Sequence, residues 1–241
     1  MLPVLTEPYQ RWNQRWQKTI RDLANQAMQG ADPGHGIEHV ERVEKNACKL
    51  IDRPVILEVL LPAIWLHDCV SIPKNSPLRS QASRLSASRA IELLTEINYP
   101  NEYFPAIQHA IAAHSFSANI PCESAEAMIL QDADRLEGLG AIGLARCLMT
   151  GGAMGQRLYH PQDPFPSTRP LKDNEQSVDH FYAKLFLLPR KMNTQGGREL
   201  AKARCGVLID FLKQLADELD IPFDSQYAQN LVLDNKTDLP V

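Results

Sequence analysis

The longest apolar tract of the 241-residue chain, Val55 to Leu66, runs straight into the ionisable pair His67-Asp68. Glu58 and Pro62 interrupt the tract, and it is too short to span a bilayer. It reads as a buried helix begun by Arg53-Pro54, since proline suits a first helical turn, and kinked at Pro62. Ionisable side chains are seldom fully buried unless they are paired or bound to a metal. The fold must therefore wrap this helix and also satisfy two polar groups at its end.

The rest of the chain repeats the helical period. Trp12, Trp16, Ile20, Leu23 and Ala27 recur at steps of three and four between Tyr9 and Met28. Ile37 to Leu50 turns Val40, Val43, Ala47 and Leu50 inward. Further helices are predicted over Ala82 to Ile97, Glu102 to His114 and Glu123 to Thr150, the last punctuated by Gly138, Gly140 and Gly143. Asp173 resembles an N-cap with Gln176 three residues on, opening a helix to about Leu188. Thr194 caps a last long helix to Leu219. Residues 151–172 form the longest irregular stretch, in which Gly151-Gly152-Ala153-Met154-Gly155 reads as a hinge and lacks the lysine and spacing of a P-loop. No segment reads as a strand. The expectation is an all-α, single-domain helical bundle, with residues 1–29 a helix packed on the core, 30–220 the main domain and 221–241 an irregular tail.

Composition narrows the classes. Hydrophobic residues make up 44 % and charged residues 22 %, ordinary for a globular protein and unlike a fibrous or disordered one. The net charge of −4 offers no basic surplus for nucleic acid. Five cysteines, an odd number with no C-x-x-C pair, argue for buried free thiols and against a disulfide scaffold. The first residues lack the basic stretch and apolar run of a signal peptide, and a cytoplasmic location is expected. Trp12 and Trp16 are read as core or interface residues, which leaves room for a homodimer.

Three segments concentrate chemistry. Gly34-His35-Gly36-Ile37-Glu38-His39 sets two imidazoles four residues apart. His39, inside a helix beside core-facing Val40 and Val43, is the better ligand candidate, and His35, between glycines at the helix mouth, suits a pocket role. His67-Asp68 ends the apolar helix. Gln131-Asp132-Ala133-Asp134-Arg135-Leu136 carries two acids pointing about 200° apart on a helix, so only one of them enters a shared site. Imidazoles and carboxylates from three helices suit a divalent ion with positions left for water and substrate. That donor mixture does not choose among manganese, magnesium, iron, nickel and zinc.

The order H … HD … D, in the settings of His39, His67-Asp68 and Ala133-Asp134-Arg135-Leu136, resembles the HD-domain metal-dependent phosphohydrolase superfamily. Ile111-Ala-Ala-His114-Ser-Phe-Ser, the run from Gly140 to Arg146, and Asp179-His-Phe-Tyr-Ala-Lys184 extend the likeness to stand-alone bacterial HD hydrolases over roughly residues 30 to 215. The resemblance implies a metal held by His39, His67, Asp68 and Asp134. It implies hydrolysis of a small phosphorylated substrate, with a nucleotide, and among nucleotides a triphosphate, favoured. Asp68 and His114 are the candidates for orienting water or moving a proton, with Lys74 leaning over the reacting phosphate. His35, Arg42, Lys74, Arg135 and Lys184 are the candidates for holding substrate. Some HD nucleotidases carry an acid a few residues after the HD pair. Here Cys69, Val70, Ser71 and Ile72 follow, a departure that supports an alternative reading as a non-catalytic nucleotide-sensing module.

Overall fold

The computed structural model describes residues 6–29, 36–72, 76, 78–115, 118–166 and 169–233. Among these the chain is helical, and the one extended pairing is a parallel bridge between Arg157 and Gln176. The helices gather into two compact units, residues 1–134 and 135–241.

The first unit is built on the apolar tract. Helix α4 (Leu57–Leu66) contacts α1 (Glu7–Trp12), α2 (Lys18–Ala27), α3 (Ile37–Leu50), α5 (Ala82–Glu96) and α6 (Phe104–His114). Leu60, Leu61, Ile64, Trp65 and Leu66 are all but inaccessible, and each such burial contributes about 1.5–3 kcal/mol. Pro62 stays inside the helix. The helix starts at Leu57, later than Arg53-Pro54 predicts. The Ile56 amide is taken by Glu126 Oε1 at 2.8 Å, which caps the helix start from a distant segment. A π-helical turn, Asn13–Gln17, joins α1 and α2, so the predicted N-terminal helix is continuous. It docks through polar bonds as well as apolar faces. Trp12 Nε1 donates to Tyr99 Oη, which donates to the Glu58 carbonyl, and Tyr9 Oη donates to Glu44 Oε1 at 2.6 Å. The last member of the unit, α7 (Ala125–Arg135), ends at the boundary with the second.

In the second unit, α8 (Gly140–Ala153) packs on α9 (Ser177–Ala183) and on α10 (Gln195–Leu219), which also holds α11 (Ser225–Leu233). The single helix predicted over Glu123 to Thr150 is thus broken. Leu136–Gly138 form a 3-10 turn, Leu139 is extended, and Gly140 has a φ of +71°, which favours glycine. Gly143 lies against the Gly138 backbone so closely that a Cβ would collide with its carbonyl. Gly151 and Gly152 are helical, not a hinge, and Gly151 packs on Ser177, where a Cβ would meet Oγ. Asp173 is not the cap of α9. That position falls to Gln176, and the Asp173 carboxylate lies 3.3 Å from His180 Nδ1. The helix there stops at Ala183, short of Leu188, and 3-10 turns follow at Leu185–Leu187 and Pro189–Lys191. Thr194 caps α10 as predicted, its Oγ1 accepting from the Gly197 amide at 3.0 Å. Within the segment expected to be irregular, α11 buries Ala228, Leu231 and Val232.

Two stability measurements test these packing statements. Gly143→Ala is expected to destabilise by about 1–3 kcal/mol, because the collision is with backbone. Gly152→Ala, with open space around the added carbon, is expected to be neutral or to stabilise by up to about 1 kcal/mol. Thermal denaturation separates the two. The second concerns Glu44, whose carboxyl burial pushes above its ordinary 4.5 while the Tyr9 hydroxyl pulls it back. Folding then favours the protonated acid, so its stabilisation is complete below pH 4.5 and is lost as pH rises through the folded value. Glu44→Gln should therefore lose less melting temperature than wild type between pH 4.5 and pH 7.

Candidate metal centre

Three helices of the first unit aim their ionisable residues at one place. His39 is in the first turns of α3 and 1 % exposed, and His67 caps the C-terminus of α4 and is inaccessible. Asp68 follows in the turn after α4, and Asp134 sits in the last turn of α7. Both acids are about one quarter exposed, at 26 % and 28 % of their side chains. The turn carrying Asp68 is held from α5. Ser86 Oγ accepts from the Val70 amide at 3.2 Å, and the Ser86 carbonyl accepts from Cys69 Sγ at 3.4 Å. The sequence reading did not single out Ser86; its signal is a small hydroxyl on the inward face of an otherwise ordinary helix.

The distances define a single cluster. His39 Nε2 lies 3.3 Å from His67 Nε2, 3.4 Å from Asp134 Oδ1 and 3.9 Å from Asp68 Oδ2. His67 Nε2 lies 3.6 Å from Asp68 Oδ2 and 3.9 Å from Asp134 Oδ1. Ligand atoms about 2.1 Å from one ion lie about 3.0 Å apart when adjacent in an octahedron and about 4.2 Å apart when opposite. The observed spacings fall between these limits. His114, at the end of α6, adds its Nε2 at 3.6 Å from Asp68 Oδ1 and stacks edge-on to His67. Among the described residues, His39, His67 and Asp134 form one group able to hold a metal ion, and His67, Asp68 and His114 an overlapping one. Asp132, fully buried, belongs to neither.

The chemistry of the donors fits a cation. His67 Nδ1 is 2.7 Å from the Ile64 carbonyl and His114 Nδ1 is 2.6 Å from the Ile111 carbonyl. Each Nδ1 must donate there, so in a neutral ring the Nε2 lone pair faces the cluster. Lone pairs and two carboxylates converging on one spot repel unless a positive charge sits among them. The titrations follow the same logic. Burial pushes the His67 imidazole down to about 4, against the opposing pull of Asp68. Burial would raise Asp68 and Asp134, yet the surrounding imidazoles hold both below the usual carboxylate range, His67 and His114 acting chiefly on Asp68 and His39 on Asp134. Burial would lower His114, and its bond to Asp68 raises it instead.

Other side chains of interest have surroundings of their own. Arg42 is half-buried on α3, one turn past His39. Lys184 is exposed in the second unit, and the Arg135 guanidinium donates to the Lys191 carbonyl. Arg204 donates to the Leu136 carbonyl at 2.6 Å. His109 accepts from the Glu123 amide at 3.1 Å, a structural bond. His35 and Lys74 lie outside the described residues. No described helix is long and apolar enough to cross a membrane.

An all-α unit with this cluster defines a class, and comparison with known proteins specifies it. The HD-domain family model matches residues 36–139. The uncharacterized protein YpgQ of Bacillus subtilis is 31 % identical over 209 residues, 84 % of this chain and 92 % of that one. Its crystal structure in complex with ADP matches with a TM-score of 0.63 at 27 % identity, covering 83 % of this chain and 96 % of that one. A crystal structure from Lactobacillus plantarum gives a TM-score of 0.66 at 31 % identity, covering 84 % and 96 %. That of an HD-superfamily hydrolase from Bacillus thuringiensis gives 0.64 at 29 %, covering 86 % and 97 %. The chain belongs to the HD-domain family and is a hydrolase.

Metal binding is directly measurable. At a concentration about 100 times its Kd, an added divalent ion should stabilise chelator-treated protein by about 2.7 kcal/mol, read as a higher melting temperature. Asp134→Ala should abolish that rise. A flat response of the wild type to manganese, magnesium, iron, nickel and zinc alike would remove the assignment.

Proposed function

We propose that the protein is a metal-dependent phosphohydrolase that cleaves a phosphoanhydride or phosphoester bond of a nucleotide, a nucleoside triphosphate above all. The observation that carries this reading is the group His39, His67 and Asp134, overlapped at His67 by a second group with Asp68 and His114, each close enough to hold a cation. The ADP complex of the similar YpgQ supports the choice of a nucleotide.

In this reading His39, His67, Asp68 and Asp134 hold the ion, with manganese the first to try. A bound divalent ion supplies Lewis-acid charge for the phosphoryl oxygens and activates water at neutral pH. The protein's own residues do the rest. Asp68 has one oxygen toward His39 and His67 and the other toward His114, so it can serve the ion and steer a proton at once. His114 holds a proton more tightly than an ordinary imidazole and is proposed to deliver it from Nε2 to the leaving oxygen. Its Nδ1 bond to Ile111 keeps the ring aimed. Phosphoryl transfer asks mainly for positioning and charge. Arg42, Arg135, Lys184, His35 and Lys74 are proposed to meet the polyphosphate. Arginine suits bidentate contact and lysine acts as a point charge.

The deciding experiment is a panel of nucleoside mono-, di- and triphosphates, run over several divalent ions with products identified by mass. Metal-dependent release of phosphate or pyrophosphate is expected. Tight nucleotide binding without turnover under every ion would overturn the proposal in favour of a sensing module. Asp68→Ala should lower kcat by about 10³-fold or more with circular dichroism unchanged.

A further inference from the structure

Two buried carboxamides stand apart from the cluster, yet each ends on the backbone beside it. Asn46 lies on α3 seven residues after His39, hence on nearly the same face, and is 3 % exposed. Its Nδ2 donates to the Ala133 carbonyl of α7 at 3.3 Å. Gln131 lies on α7 one turn before Asp134 and is 6 % exposed. Its Nε2 donates to the Ala113 carbonyl of α6 at 2.7 Å. Ala133 immediately precedes Asp134, and Ala113 immediately precedes His114.

Both acceptors are among the last carbonyls of their helices, which lack an intrahelical donor. Leaving such a group bare in the core is costly, so these bonds have a structural reason. Their position gives them a second consequence. They tie α3 to α7 and α7 to α6, the helices that carry His39, Asp134 and His114. Ser83 Oγ adds a third tie, donating to the Ala112 carbonyl at 2.9 Å. A few tenths of an ångström of slip between these helices changes the spacing of the donor atoms directly.

Resting on the phosphohydrolase reading, we propose that Asn46 and Gln131 are positioning residues that set the affinity and coordination geometry of the metal centre without touching the ion. Residues that orient ligands from behind are worth about 10- to 100-fold in metal affinity. The same loss is expected for Asn46→Leu and Gln131→Met, which keep volume and remove the donor.

The test compares full-length wild type, both variants and Tyr99→Phe. The last loses a part-buried bond to the Glu58 carbonyl and the acceptor of the Trp12 indole bond, both in the same unit and neither on a residue of the centre. Manganese affinity is measured by calorimetry, coordination by the electron paramagnetic resonance spectrum of bound Mn2+, and stability by melting of the chelated protein. Asn46→Leu and Gln131→Met should weaken binding at least 10-fold and alter the spectrum. Tyr99→Phe should lower the melting temperature and leave both unchanged. Wild-type affinity and spectrum in the two variants would overturn the proposal, and so would a loss in Tyr99→Phe that matches theirs. Should either variant fail to fold, Asn46→Ala or Gln131→Asn is read in its place by the same criteria. Failure of wild type itself to bind any divalent ion would instead remove the underlying phosphohydrolase reading, which keeps the two failures distinct.

Discussion

Like charges and facing lone pairs do not share a small space without something positive between them. Three imidazoles and two carboxylates do share one here, with His39 and His67 only 3.3 Å apart at their Nε2 atoms. A proton or a cation must make up the difference. The raised proton affinity of His114 and the depressed ones of Asp68 and Asp134 show how the protein copes with protons alone. The family to which the chain belongs resolves the same conflict with a metal, and the proposed chemistry follows from that choice.

The apolar helix makes the arrangement affordable. A helix whose flanks are covered by five others cannot shift without exposing large side chains. Its last residues therefore arrive at a fixed point, and the turn beyond is fastened to Ser86. Precision at His67 and Asp68 is inherited from leucine, isoleucine and tryptophan packing one and two turns earlier. The cost of burying imidazoles there is offset by bonds from His67 Nδ1 to the Ile64 carbonyl and from His114 Nδ1 to the Ile111 carbonyl.

Much of this was legible in the sequence. The bounds of α3 follow its period, and the order His39, His67-Asp68, Asp134 stood out because charges are rare in apolar helices. The resemblance then chose Asp134 over Asp132, and the cluster contains only the former. What could not be read depended on distant partners. Pro54 is a valid local start signal, but Glu126 fixes the start elsewhere. Asp173 has the spacing of a cap, but His180 engages its carboxylate. Helix α11 was missed because three inward residues in nine make a faint period. Asn46 and Gln131 were missed for a further reason. A neutral amide carries no charge to mark it, and its meaning lies in which carbonyl it reaches.

The cluster also has a dry side and a wet side. Its imidazoles are sealed in the core, while its carboxylates are about one quarter open. The solvent-facing part of the cluster is therefore its oxygens and not its nitrogens. Exchange at the centre is one-sided, with the two carboxylates forming its open edge.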